Sequence, residues 1–173
     1  KHIPYHNIFK RIENHEVLNY GEFEAYPNRD SLSYRDAYGL EDIPTLFRGT
    51  FRKVGFCAAW DMLVQLGLTE DGFQINVPNG MTYRDFTNTF LAYNIVDSVE
   101  KKVADMLNIE LDSTEMRKLN WLGIFDRDEI PFEEATPAEI LLELLKTKWT
   151  LDSEDKDMIV MQHLIDYELN GKS

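Results

Sequence analysis

The sequence predicts an α+β fold: a fragment of a mixed sheet interrupted by a mostly helical subdomain. Three observations carry this. Residues 1–53 contain short strand-like runs with a covered face. Residues 54–157 contain helical apolar spacing with capping signals. The apolar run from Met158 to about Leu169 then reads as a strand returning to the sheet, within a third segment, 158–173. Strands bracketing helices describe one sheet domain with an insertion, not two domains in tandem.

Taken in order, "EVLNY" and "GEFEAY" form two short strands with a turn near Gly21. Phe23 and Ala25 alternate with Glu22 and Glu24, so the second strand has one apolar and one polar face. "TLFRGTF", Thr45 to Phe51, is a further strand, with Arg48 and Arg52 spaced along it. In "GFCAAWDMLVQLGL", Phe56, Ala59, Trp60 and Leu63 recur at helical spacing, and Gly67 is a plausible stop. Gly72, Pro78, Asn79 and Gly80 break the next stretch. "TYRDFTNTFLAY" restarts helix, with Thr82 as N-cap and Asp85 three residues on. In "DSVEKKVADMLNI" Asp97 is the expected cap, with Glu100 at the third position. "TPAEILLELLKTKW" opens on Thr136, with Pro137 in the first turn and Glu139 beyond. Trp60, Trp121 and Trp149 are expected in the core. The final strand-like run heads into Asn170-Gly171, a strong hairpin signal. With no return strand after it and no initiator Met, the sequence reads as a piece of a longer chain.

Composition narrows the function. The chain has 173 residues, 43% of them hydrophobic, so a sizeable core is available. Eighteen basic residues stand against 31 acidic ones, for a net charge of −13. Such a field repels phosphate backbones and anionic lipid, which argues against nucleic-acid and membrane partners. Cys57 is the single cysteine, so neither a disulfide framework nor a cysteine-based metal site is expected. That usage fits a cytoplasmic location.

Chemistry-bearing residues are few. No G-x-G-x-x-G turn and no P-loop occur. His2 and His6 are four apart without a third ligand, so no metal site is assigned. His15 reads as a turn or surface residue before the first strand, and His163 as a strand-face residue. Cys57 follows Phe56 on the apolar side of a helix start and reads as a buried, inert thiol. Arg29 and Arg48 stand out, each at a strand-like edge. A surface ion pair is one reading, worth under about 1 kcal/mol. The other is recognition of a carboxylate by a planar fork of donors, at about 1.5–3 kcal/mol per charge-assisted bond. Asn28 and Asp30 flank Arg29 and can hold it. Gly49 and Thr50 follow Arg48 and offer close backbone approach and a hydroxyl.

"YPNRDS" (Tyr26 to Ser31), "YGL" (Tyr38 to Leu40), "TLFRGTFR" (Thr45 to Arg52) and "GF" (Gly55-Phe56) resemble the C-terminal half of the saccharopine dehydrogenase family. "WLGIF" (Trp121 to Phe125), "ATPAEIL" (Ala135 to Leu141) and "EDKDMIVMQH" (Glu154 to His163) resemble later blocks of that half, in the same order. The resemblance implies part of an NAD- or NADP-dependent enzyme of lysine metabolism that oxidises or forms saccharopine. It implies a substrate domain bearing a helical insertion, a homodimer, and saccharopine, or its amino acid and aldehyde precursors, as ligand. It carries Asn28 and Arg29 onto the "NRDS" motif, and Arg48, Gly49 and Thr50 onto the "RGT" motif, as substrate-binding residues. The family's nucleotide fingerprint and the groups nearest the hydride match no residue here, so no catalytic residue is assigned and the isolated chain is expected to bind no cofactor and to be inactive. The chain departs from many relatives at Lys53 and Val54, where a Tyr follows the second arginine; substrate and direction are not fixed by the resemblance. Two alternatives stand beside it: a non-enzymatic interaction module, and a carboxyspermidine-type dehydrogenase of polyamine synthesis.

Overall fold

The computed structural model describes residues 2–28 and 30–169. A 3-10 helix, Tyr5–Lys10, leads into a three-stranded antiparallel sheet of order β1-β2-β3, with β1 at Glu13–Val17, β2 at Gly21–Pro27 and β3 at Gly49–Lys53. Between β2 and β3 lies a single helical turn, α1, Tyr34–Ala37. Helices then dominate: α2 (Phe56–Gln65), α3 (Tyr83–Thr89), α4 (Val99–Leu107), α5 (Thr114–Leu122) and α6 (Pro137–Trp149). A two-stranded ribbon, β4 (Ile75–Asn76) with β5 (Glu134–Ala135), ties the block together. The architecture is α+β, as the sequence predicts.

Two apolar clusters hold it. The larger joins α2 to α6 through Leu63, Leu66, Phe86, Val103, Leu119, Ile124 and Ile140. Val103 and Ile140 are fully buried, each contributing about 1.5–3 kcal/mol by leaving water. The smaller cluster, Phe9, Cys57 and Val64 with Tyr26 and Trp60 against it, seats the 3-10 helix and β2 on α2.

Local signals decide the helix starts. Thr82 with Asp85, and Thr136 with Glu139, form reciprocal capping boxes, each satisfying two otherwise orphaned N–H groups. At α4 the cap is Ser98, not Asp97: the Ser98 side chain accepts from Lys101 N–H. Asp97 is engaged elsewhere, its carboxylate accepting from Asn94 Nδ2 at 2.6 Å.

Several expectations are corrected. The first strand stops at Val17, because Asn19 turns into the left-handed region at φ 68. His15 lies inside β1, opposite Phe23 and 5.5 Å from the Phe51 ring. The third strand starts at Gly49 rather than Thr45, because β2 ends at Pro27, directly opposite Gly49; upstream residues have no ladder to join. Trp121 and Trp149 are about half exposed. Trp121 falls off the Met116, Leu119, Leu122 face that α5 buries, and Lys148 Nζ lies 5.6 Å from its ring centroid. Glu24, expected on the polar face of β2, is buried at 5% exposure.

The return strand expected over 158–173 is not formed among the described residues. Met158–Glu168 carries no ladder, and Ile159 and Ile165 are 91% and 77% exposed. A strand is stable only as one member of a pair, so alternation alone does not make one. The Asn170-Gly171 turn lies outside the described residues.

Candidate functional site

The ends of β2 and β3 meet α1 at one corner of the sheet. Past the last pair, Pro27 with Gly49, the Asn28 N–H donates to the Arg48 carbonyl at 2.9 Å. Thr50 Oγ1 donates to Asn28 Oδ1 at 2.7 Å. Arg48 turns back over the corner: its Nη1 donates to the Asp30 carbonyl at 3.1 Å, and its Cζ lies 3.3 Å from the Tyr34 ring centroid. Asp30 Oδ1 accepts the Ser33 N–H at 3.1 Å, fixing the approach to α1. Hydrogen bonds from Ser33, with Arg48 nearby, hold the Asp30 carboxyl below its ordinary range.

Two hollows open at this corner. One, of about 490 Å³, is lined by Asn28, Asp30, Ser33, Tyr34, Ala37 and Arg48. The other, of about 270 Å³, lies towards the 3-10 helix, with Tyr5, Phe9, Tyr26 and Thr50 in its wall. Asn28 borders both.

The structure therefore brings Asn28, Arg48 and Thr50 together by direct contacts. Arg29 lies outside the described residues; its two neighbours, Asn28 and Asp30, are both tied to Arg48. Gly49 stands where β2 and β3 pack closely. A Cβ there would meet Phe47 Cε1 and the Tyr26 carbonyl at 3.0 Å and Ala25 Cβ at 3.3 Å. The missing side chain admits the neighbouring strand. Tyr34 was not selected from the sequence. Its signal was an aromatic in the turn-rich stretch between two arginines, where a guanidinium has a flat face to cover.

Glu24 forms a second constellation beneath the sheet. Its carboxylate accepts the N–H groups of Gly55 at 2.7 Å and Cys57 at 3.0 Å, at the start of α2. Lys118 Nζ donates to the Gly55 carbonyl at 2.8 Å. Gly55 stands at φ 88, where a side chain is strained and a Cβ would meet Lys118 Nζ at 2.8 Å. Burial raises the Glu24 pKa, but the bonds from Gly55 and Cys57 outweigh it and the net shift is downward. Burial, with the Glu24 carboxylate beside it, pushes the Cys57 thiol up to about 12. A thiol so protonated is no nucleophile at neutral pH, in keeping with the inert reading. Among the described residues, no three His, Cys, Asp or Glu side chains group to hold a metal, and no helix is long and apolar enough to cross a membrane.

The sequence model of the saccharopine dehydrogenase C-terminal domain matches residues 1–173. Alpha-aminoadipic semialdehyde synthase, mitochondrial, of Rattus norvegicus is 32% identical over 80% of this chain and 15% of its own length. Saccharopine dehydrogenase [NADP(+), L-glutamate-forming] of Pyricularia oryzae is 27% identical over 84% of this chain and 33% of its own. Among solved structures, apo histidine-tagged saccharopine dehydrogenase (L-Glu forming) from Saccharomyces cerevisiae matches with TM-score 0.61 at 21% identity, covering 84% of this chain and 34% of that one; at that identity the match speaks for the fold. The chain thus spans about a third or less of the length of these relatives.

Proposed function

The chain belongs to the saccharopine dehydrogenase C-terminal domain family, and from that premise we propose that it supplies saccharopine binding to a longer NAD(P)-dependent saccharopine dehydrogenase, homodimeric and cytoplasmic. Arg29 reads a carboxylate of the substrate, on the frame made by Asn28, Arg48, Gly49 and Thr50. The observation that carries the reading is the corner itself. Two hollows share Asn28, and three hydrogen bonds fix the chain on both sides of position 29. Saccharopine joins lysine to a glutamate backbone through a secondary amine and presents three carboxylates, which suits an arginine in so acidic a chain.

The names of the fungal relatives specify NADP(+). The residues of this chain do not fit a dinucleotide. Strand β3 runs through Gly55 into α2, in the order of a phosphate-binding turn. Its Gly55 and Cys57 N–H groups already hold the buried Glu24 carboxylate, and a phosphate there would meet a second negative charge. Cofactor binding and hydride chemistry therefore belong to other parts of the longer protein.

The test uses the full-length protein. Arg29→Ala should raise the saccharopine KM about ten- to a hundredfold, the loss of about 1.5–3 kcal/mol from one charge-assisted fork, with the cofactor constant little changed. Arg29→Lys should recover only part, since an ammonium cannot make the planar two-bond contact. Unchanged kinetics in Arg29→Ala would return the residue to a surface ion pair. Carboxyspermidine-type substrates in the same assay separate the polyamine alternative. Saturable NADPH or NADH binding by residues 1–173 alone would overturn the placement of the cofactor site.

A further inference from the structure

We propose that the loop between α3 and α4 is a docking knob for an apolar recess with a basic rim, carried by the part of the longer polypeptide outside residues 1–173. The knob is made by Tyr93, Ile95 and Val96, which are 92%, 82% and 87% exposed. Their neighbours in sequence behave in the opposite way. Phe90 and Leu91 pack against the core as the chain leaves α3, and Val99 is buried as it enters α4. Three large apolar side chains thus stand in water between two anchored ends. Single exposed apolar residues are ordinary on a surface; a tight group marks a contact.

The loop is held in one shape. Asn94 Oδ1 accepts the Val96 N–H at 2.8 Å and the Asp97 N–H at 3.3 Å, and Asn94 Nδ2 donates to the Asp97 carboxylate at 2.6 Å. Lys102 Nζ, from α4, donates to the Asn94 carbonyl at 3.3 Å and to the Asn88 side chain. The loop is therefore ordered before anything binds, which removes a cost that association otherwise carries.

Shape, charge and length choose the occupant. Side chains this exposed are covered best by a concave surface. Arg84 pairs with Glu100 and Lys101 with Asp105, which leaves Asp97 as the acidic group at the tip. In a twofold contact between copies the patch would meet itself and set Asp97 near Asp97, in a chain of net charge −13. The same charge opposes an anionic bilayer and favours a basic rim. The chain covers 15% to 34% of the relatives and the solved structure compared above, so most of the polypeptide able to carry the recess lies outside it. The inference rests on the reading of a longer protein and not on the saccharopine site.

The test puts Tyr93→p-benzoylphenylalanine into the full-length protein, irradiates it and maps the peptide captured. The expected product has single-chain mass and joins position 93 to a stretch outside residues 1–173 that contains Lys or Arg. In parallel, an Ile95→Cys thiol should react with maleimide about tenfold more slowly in the native protein than in urea. Tyr93→Ser combined with Val96→Ser should lower the melting temperature by about 2–4 °C and leave the helical circular dichroism unchanged. A product of two-chain mass would assign the knob to a second copy. Sedimentation with vesicles of phosphatidylcholine and phosphatidylserine would assign it to a bilayer. Either result overturns the inference, as does capture within residues 1–173 or of a stretch without a basic residue. Should irradiation give no product, the other two measurements decide: equal thiol rates in native and unfolded protein, or unchanged melting, would return the loop to free surface. None of these readouts depends on saccharopine, so failure of the substrate reading would leave them unmoved.

Discussion

The Glu24 carboxylate accepts N–H groups from Gly55 and Cys57, residues 31 and 33 positions away. It stands where a cap at the start of α2 would stand, but it comes from strand β2. One carboxylate therefore fastens the sheet that bears the candidate site to the first helix of the helical block, and Lys118 of α5 closes the joint from the other side. Glu24→Gln keeps the size but offers one accepting oxygen in place of two, leaving a buried N–H against an amide. The expected loss is about 1–3 kcal/mol in chemical unfolding at pH 7. The sign with pH follows from the downward shift. The contribution is present above the unfolded value, near 4.5, and is lost as pH falls through the lower folded value. The gap between wild type and Glu24→Gln should therefore narrow in acid. A gap that stays constant from pH 7 to pH 3 would show that packing, not charge, sets the loss. Alternation along β2 hid this residue, because pattern reports a strand's faces but not the helix arriving over one of them.

Between elements, the clearest polar tie joins α3 to α4. Arg84 donates from Nη1 to Glu100 Oε1 at 2.5 Å and from Nη2 to Oε2 at 2.8 Å. This bidentate pairing holds the Glu100 carboxyl at about 2. The two side chains keep 22% and 32% of their exposure, so screening limits the pair to about 1–2 kcal/mol. Stability from it is present above pH 4.5 and is lost as pH falls towards 2. Glu100→Gln should flatten the acid limb of the melting curve over that range, and Arg84→Met should flatten it equally. An acid limb unchanged in both variants would remove the pair from the account. The helix caps at Thr82 and Thr136 were legible because a cap and its partner lie within four residues. The Asp97 expectation erred by one position because Asn94 competes for the same carboxylate. The Arg48–Tyr34 contact was only half legible. The arginine and its turn are written locally, but its partner Tyr34 reaches it through a helix of four residues that carries no periodic signal.

At the scale of the whole molecule, the segment Met158–Leu169 leaves a run of apolar side chains exposed. Met161, Leu164, Ile165 and Tyr167 are each at least two-thirds exposed, more apolar surface than a water-facing segment ordinarily carries in a row. The β1-β2-β3 sheet offers two edge strands with unpaired backbone groups. The chain matches relatives about three or more times its length, and the cover expected for the segment is either further chain of a longer protein or a second copy. Asp166 and Glu168 in the segment, within a chain of net charge −13, oppose close pairing of identical copies. Cover from elsewhere in the longer protein is therefore the favoured outcome. Amide exchange across Ile159–Leu169 should be fast in residues 1–173 alone and slow in the full-length protein, with the melting temperature rising alongside. Protection that grows with concentration in residues 1–173 would instead identify pairing between copies. Slow exchange in the 173-residue chain while monomeric would mean that the segment is already covered from within, and the argument from its exposed apolar side chains would fall.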